Sequence, residues 1–211
     1  MNDNLSNKGK NFAILLCAGT SKRIGKFDKT TSLLNGKPVF LHSLQKLLSN
    51  KYIHEVIIVV SKKNKEIIKK ELSKKTGNRF QIIEGSKERM GSVKNAIKHL
   101  LPQNPKNIII HDSARPFFSS QIIDEGFKAL KNFSCVVPLT KVVDTVKKLD
   151  GSKLLSTIDR SDLYYSQTPQ FFDYDELSQL ITKYGDYFNY SDEIQLFEKE
   201  NIKIGTIDGN L

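Results

Sequence analysis

Four short runs of β-branched and apolar residues, at 12–17, 55–61, 80–84 and 107–111, alternate with segments of helical periodicity. Each run is apolar on both faces, as a strand covered from two sides must be. The spacing predicts helices over 38–49, 62–75 and 89–101. Pro38 suits the first turn of its helix, where a missing amide costs nothing. Ile67, Ile68 and Leu72 give the second helix its apolar stripe, and Val93, Ala96, Ile97, Leu100 and Leu101 give the third. Repeated βαβ units imply a mostly parallel, twisted α/β sheet flanked by helices. In such sheets ligands bind beyond the carboxyl ends of the strands, which directs attention to the loops 18–29 and 112–118.

The pattern changes after a helix at about 119–131 and a strand at 133–139. Alternation on either side of Asp150-Gly151 predicts a hairpin within 141–160. A hairpin this polar cannot build its own core. It is read as an arm that packs on a second subunit, the alternative being a solvent-exposed flap. Helices near 173–184 and 191–200 and a strand near 203–207 follow. No internal repeat or linker interrupts the chain, which is read as one domain over 11–211 preceded by a disordered tail over 1–10.

With 38% hydrophobic and 27% charged residues among 211, the composition is that of a soluble globular chain. The apolar runs are far too short to span a membrane. The first ten residues lack the apolar segment of a secretory signal. Cys17 and Cys135 form no CxxC pair and lie in apolar runs, so they are read as reduced core thiols of a cytoplasmic protein. The net charge of +10 raises the question of nucleic acid. Its lysines, however, are scattered among acids rather than gathered in a stripe, and no nucleic-acid partner is expected. There are only five arginines, Arg23, Arg79, Arg89, Arg115 and Arg160, and four lie in the loops that carry motifs. Where lysine supplies most of the charge, an arginine points to a need for its planar fork.

Three loops carry the chemistry. The first, Ala18-Gly19-Thr20-Ser21-Lys22-Arg23, matches neither the phosphate loop of the Walker type, since Ile24 and Gly25 stand where Gly and Lys are needed, nor GxGxxG. Its small residues let backbone amides approach phosphate oxygens, and Lys22, Arg23, Lys26 and Lys29 bring cations. That combination suits a nucleoside triphosphate with magnesium; an ordinary solvated turn is the alternative. The second loop, Gly85 to Ser92, follows a strand and opens a helix. Gly85 permits a tight turn, and Ser86 or Ser92 can offer a hydroxyl to a base or ribose, although helix capping alone would also explain them. The third is His111-Asp112-Ser113-Ala114-Arg115-Pro116. Here an acid able to hold a ribose or a metal-bound water stands three residues from a guanidinium able to grip phosphate.

These loops, with Leu34-Asn35-Gly36-Lys37-Pro38, Asp144-Thr145, Asp159-Arg160, Gln167-Thr168-Pro169-Gln170 and Asp192-Glu193, resemble the cytidylyltransferases that make CDP-sugar alcohols. The nearest group is the 2-C-methyl-D-erythritol 4-phosphate cytidylyltransferase family, over nearly the whole chain. The resemblance implies a Rossmann-like nucleotidyltransferase fold with a protruding β-arm for dimerisation, and transfer of CMP from CTP to a polyol phosphate with magnesium as cofactor. It implies that Arg23 and Lys29 are catalytic, gripping the triphosphate. Ala18, Gly19, Gly85, Ser86, Ser92, Asp112 and Ser113 would bind the nucleotide. Asp112 would touch the ribose or the magnesium shell, with no direct metal ligand. Arg115, Thr145, Arg160 and Thr168 would bind the acceptor phosphate, Arg160 and Thr168 reaching in from the partner subunit.

The chain departs from the family pattern in three places. The loop before Lys29 is one residue shorter and has Asp28 where proline is usual, which makes Lys26 a rival for the role of Lys29. Ser113 replaces the usual alanine and leans toward ribitol 5-phosphate as acceptor, whereas Ala114 and Asp192-Glu193 lean back toward methylerythritol phosphate. The sequence ends at Gly209-Asn210-Leu211, where the family continues into a lysine-bearing strand. The expectation drawn from this is a truncated chain or an impaired, nucleotide-binding homologue.

Overall fold

The computed structural model describes residues 9–19, 28–74, 77, 79–184 and 190–210. Arg23, Lys22 and Lys26, and nearly all of the expected N-terminal tail, lie outside the described residues. The first strand, β1 (Asn11–Leu16), leads to a small hairpin of β2 (Leu33–Leu34) and β3 (Lys37–Pro38) and then to α1 (Val39–Ser49). Asn35 and Gly36 turn that hairpin at φ +49° and +72°, a conformation that Asn-Gly tolerates best. The alternation continues through β4 (Ile53–Val60), α2 (Lys65–Leu72), β5 (Phe80–Glu84), α3 (Arg89–Leu100), β6 (Asn107–Asp112) and α4 (Ser120–Ala129). The remainder comprises β7 (Cys135–Lys141), β8 (Val146–Asp150), β9 (Lys153–Ile158), β10 (Tyr164–Ser166), β11 (Gln170–Asp173), α5 (Tyr174–Tyr184), α6 (Ile194–Lys199) and β12 (Gly205–Asp208).

β1 pairs in parallel with β4 on one side and β6 on the other, and β4 pairs in parallel with β5. Beyond β6 lies the antiparallel β11, which also pairs with β7; β7 in turn carries β10 antiparallel and β12 parallel. The chain thus runs from β1 outward to β4 and β5, then returns to the opposite side of β1 as β6. The order reverses between β1 and β6, and their carboxyl ends are level, with Leu16 paired to Asp112. A crevice opens at that reversal because the two outgoing connections diverge to opposite faces of the sheet.

Both faces are covered. Phe12, Ile14 and Leu16 join Ile57, Val59, Ile108 and Ile110 beneath α3, α5 and α6. Ala13, Leu15 and Cys17 join Val56, Ile58 and Ile109 beneath α1, α2 and α4. This two-sided burial is why the strands read as continuous apolar runs rather than alternating ones. Cys17 and Cys135 are free, buried and on opposite faces. Burial pushes the Cys17 thiol up to about 12 and raises Cys135 as well.

Three local expectations are corrected. Pro38 ends β3 and precedes α1 with φ −53° and ψ 137°, an extended geometry outside the first helical turn. The second helix starts at Lys65 because Ser61 and Asn64 close a turn first, Ser61 N donating to Asn64 Oδ1 at 2.9 Å. Ile67 and Leu101 are exposed rather than part of apolar stripes, Leu101 having passed into a 3-10 turn over Leu101–Gln103. On α4, a methyl at Gly126 would overlap the ring of the fully buried Phe171. Gly126→Ala is therefore expected to lower stability by about 1–3 kcal/mol, read by chemical denaturation, despite alanine's better helix propensity.

Candidate active site

A cavity of about 530 Å³ occupies the crevice between β1 and β6. Ala18 and Gly19 enter it from β1, and Lys29 and Thr30 from the loop that follows. The β5–α3 loop supplies Ser86, Lys87, Glu88, Arg89 and Ser92, and the β6 loop supplies Asp112 to Arg115. Gly85 brings the β5–α3 loop this close. A Cβ there would lie 2.7 Å from Ser92 Oγ, 2.8 Å from Val59 Cγ1 and 2.9 Å from Ala18 Cβ, atoms of three different elements. Its role is close approach rather than the tight turn expected from sequence, since its φ is not positive.

Several hydroxyls expected to face a nucleotide instead hold the walls together. Ser92, 2% exposed, accepts from Ser86 N at 3.0 Å and donates to Glu88 O at 3.1 Å. Ser113, 1% exposed, shares a 3.3 Å contact between its hydroxyl and that of Thr30, and its carbonyl accepts from Ser43 Oγ at 3.1 Å. Both residues border the cavity; the Ser92 proton is engaged on the Glu88 carbonyl as helix capping would dictate, and the Ser113 hydroxyl is paired with that of Thr30.

The third loop is built around His111, which is fully buried. Its Nε2 lies 3.1 Å from Arg115 O, and its Nδ1 lies 3.0 Å from Thr168 Oγ1. A carbonyl can only accept, so Nε2 carries the proton and Nδ1 accepts from the Thr168 hydroxyl. Thr168 Oγ1 in turn accepts from Asp112 N at 3.2 Å. Its single proton is directed at His111 in this arrangement, and Thr168 braces the Asp112–Arg115 turn of its own chain.

Burial pulls His111 down to about 4, against a smaller opposing pull from Asp112. The unfolded chain, with an ordinary histidine near 6.5, then binds the proton more tightly than the native state. Stability from this group is complete above about pH 6.5 and falls as pH drops toward 4, by about 3 kcal/mol in total. Denaturation curves between pH 4 and 7 should show this loss, and His111→Gln should flatten it.

Charge at the cavity is arranged around Asp112 and Arg89. The Asp112 carboxylate faces Arg89 Nε at 3.6 Å and Arg115 Nε at 3.5 Å. Arg89 Nη1 also donates to both oxygens of Glu193, each at 2.8 Å, and Glu193 is fully buried. Burial pushes the Glu193 carboxyl up and the Arg89 guanidinium opposes that shift. On Arg89, burial works against the charge, but the Glu193 and Asp112 carboxylates outweigh it and raise the pKa. Sequence reasoning marked Arg89 only as one of few arginines and Glu193 only as part of a motif; nothing in the sequence says that this acid is buried.

Residues 12–211 match the family described as IspD, 2-C-methyl-D-erythritol 4-phosphate cytidylyltransferase. The chain belongs to that family. It is 33% identical over 203 residues to the 2-C-methyl-D-erythritol 4-phosphate cytidylyltransferase of Thermotoga neapolitana, covering 95% of this chain and 88% of the relative. It is 36% identical over 197 residues to the bifunctional enzyme IspD/IspF of Pelagibacter ubique, covering 93% of this chain but 51% of that relative. The chain thus spans about half the length of this bifunctional relative. The crystal structure of 4-diphosphocytidyl-2C-methyl-D-erythritol synthase from Anaerococcus prevotii superposes with a TM-score of 0.82 at 30% identity, over 96% of this chain and 88% of that one.

Against the cytidylyltransferase pattern, Lys29, Ala18, Gly19, Ser86, Asp112 and Arg115 converge on one cavity. Thr145 and Arg160 do not. Both are exposed on the arm, where Arg160 hydrogen-bonds Val143 O. The arm itself is a two-stranded sheet of β8 and β9 turned at Gly151, φ +55°, and bulged at Leu155. Gln167, Thr168 and Asn210 line a smaller hollow of about 120 Å³ that shares Arg115 with the main cavity.

Proposed function

We propose that the protein transfers CMP from CTP to 2-C-methyl-D-erythritol 4-phosphate and releases pyrophosphate. The observation that carries this reading is the cavity at the strand-order reversal, where Lys29 and Arg115 stand on opposing loops in a chain matched to the family over residues 12–211. The nucleotide would lie against Ala18, Gly19 and Ser86, with the triphosphate toward Lys29 and, beyond the described residues, Arg23. An acceptor phosphate oxygen attacks the α-phosphorus as the α–β bridging bond breaks. A phosphate monoester is already ionised near neutral pH, so the attack needs no general base. His111 is unsuited to that task in any case, with both ring nitrogens engaged. Catalysis then rests on positioning and on cations aimed at the charge that develops.

Magnesium fits this site in a limited way. Among the described residues no three His, Cys, Asp or Glu side chains cluster to hold a metal. Asp112, beside Glu88, is a carboxylate that borders the cavity with part of its surface open, and one carboxylate plus substrate phosphates is a usual magnesium environment. When bound there, the ion would neutralise phosphate charge.

The acceptor end is completed, in this reading, by the arm of a second subunit in a homodimer. Val143, Leu149, Leu154, Leu155, Tyr164 and Tyr165 are exposed on or beside the arm, an apolar surface that solvent alone does not favour. Arg160→Ala is expected to raise the KM for the acceptor about tenfold or more while leaving that for CTP nearly unchanged. An unchanged acceptor KM would remove the arm from the site. A cytoplasmic location is the reading that the two free, buried thiols support.

Pyrophosphate release, with CTP and magnesium and either methylerythritol 4-phosphate or ribitol 5-phosphate, tests the proposal. Release with the first acceptor is expected. Release with ribitol 5-phosphate alone would reassign the substrate, and CTP binding without release would favour an impaired homologue. Ser113 does not favour the ribitol reading, because its hydroxyl is turned to Thr30 rather than to an acceptor.

A further inference from the structure

Lys29 stands between two anchored neighbours. Behind it, the Asp28 carboxylate is held on both oxygens: Oδ1 accepts from Thr30 N at 2.9 Å and Oδ2 accepts from Asn64 Nδ2 at 2.9 Å. Ahead of it, Thr30 is 4% exposed, meets the Ser113 hydroxyl at 3.3 Å and receives Phe40 N on its carbonyl at 3.0 Å. The main-chain carbonyl of Asp28 also accepts from Thr31 N and Ser32 N, at 3.2 and 3.0 Å. The peptide that carries the lysine is therefore tied to the β4–α2 turn on one side and to the β6 loop on the other.

Asn64 is the remote anchor. It is 2% exposed, and its amide is engaged at every atom. Besides Asp28, Nδ2 donates to Cys17 O at 2.8 Å, and Oδ1 accepts from Ser61 N at 2.9 Å. Only this amide orientation satisfies all three partners, since Cys17 O and the carboxylate can only accept and Ser61 N–H can only donate. One side chain thereby joins the end of β1, the start of α2 and the lysine loop. Two of its bonds maintain the scaffold; the third, to Asp28, transmits that rigidity to the cavity.

We propose that Asn64 and Asp28 are positioning residues for Lys29, a role that rests on reading Lys29 as the phosphate-stabilising cation. A lysine ammonium on a four-carbon stem is mobile, and a cation lowers a barrier chiefly when it is already aimed at the charge that will develop. Fixing its main chain on both sides narrows the volume its ammonium sweeps. Releasing Asp28 from Asn64 widens that volume, and a displacement of about 1 Å at a catalytic group costs on the order of 10²-fold in rate.

The test is a double-mutant cycle on pyrophosphate release, with Asn64→Ala made in the wild-type and Lys29→Ala backgrounds and melting temperatures recorded for each. In the wild type, Asn64→Ala should lower kcat on the order of 10–10²-fold, with the KM for CTP changed by no more than about threefold. In the Lys29→Ala background the same substitution should change kcat by less than about twofold, because the group it positions is gone. Equal losses in both backgrounds, or no loss in the wild type, would overturn the proposal. Should Asn64→Ala fail to fold, the near-isosteric Asp28→Asn takes its place in the cycle; its single remaining acceptor oxygen cannot serve both Thr30 N and Asn64 Nδ2. A Lys29→Ala protein with wild-type turnover would defeat the reading of Lys29 itself. That outcome is distinguishable, because it appears in the single variant before any change at Asn64.

Discussion

Lys29→Ala should lower kcat on the order of 10²–10³-fold while the protein still folds and binds CTP. Lys29 is exposed at the edge of the cavity, so its removal opens no void. Stability should stay within about 0.5 kcal/mol of wild type, as for other surface substitutions. What is lost is a positive charge in the wall that faces Asp112 and Arg115 across the crevice. If that charge is used only as the α-phosphorus gains its fifth oxygen, kcat and kcat/KM fall together. A rise in KM with kcat unchanged would mean that Lys29 holds the ground-state triphosphate and no more. Full activity would transfer the role to Lys26 in the preceding loop.

Glu193→Ala should be the most destabilising single change near the site, by about 3–5 kcal/mol in denaturation experiments. The carboxylate is fully buried and bridges both its oxygens to Arg89 at 2.8 Å. Removing it leaves the half-buried guanidinium without its closest partner, with Asp112 at 3.6 Å and Asp192 as acidic neighbours. Arg89 should then swing toward Asp112 and alter the ribose and metal side of the cavity, so the activity of the folded fraction should fall too. Glu193→Gln, which keeps the shape and one acceptor, should cost less. Equal stability of the alanine variant and wild type would show that the pair is not structural.

The strands were legible because a strand covered on both faces has to be apolar throughout, and β1, β4, β5 and β6 appear within a residue or two of the expected positions. The small-residue loop and the His-Asp-Ser-Ala-Arg-Pro turn were legible because open α/β sheets bind ligands at such ends. Less legible was the direction of each hydroxyl. Ser92, Ser113 and Thr168 satisfy neighbouring backbone or side chains, and a serine or threonine that does so looks identical in sequence to one that faces a ligand. Burial of an isolated acid left no trace either, which is why Glu193 became apparent only from its contact with Arg89 in the folded chain. The clamp of Asp28 and Asn64 joins residues 36 apart in sequence across two strands, and no local spacing announces it. The arm residues Thr145 and Arg160 were recognisable from motifs; that Arg160 stands apart from the cavity of its own chain agrees with its expected place in a partner's site, whereas nothing in the sequence set Thr145 apart in the same way.

In the proposed reaction the bond between the α- and β-phosphates of CTP breaks. This cleavage is tested most directly by following CTP labelled separately at the α- and γ-phosphorus through turnover with methylerythritol 4-phosphate. The α-label is expected in a cytidine-containing diphosphate product, and the γ-label is expected to leave entirely as pyrophosphate. Appearance of γ-label in the acceptor, or release of label as free phosphate without a cytidine product, would contradict it.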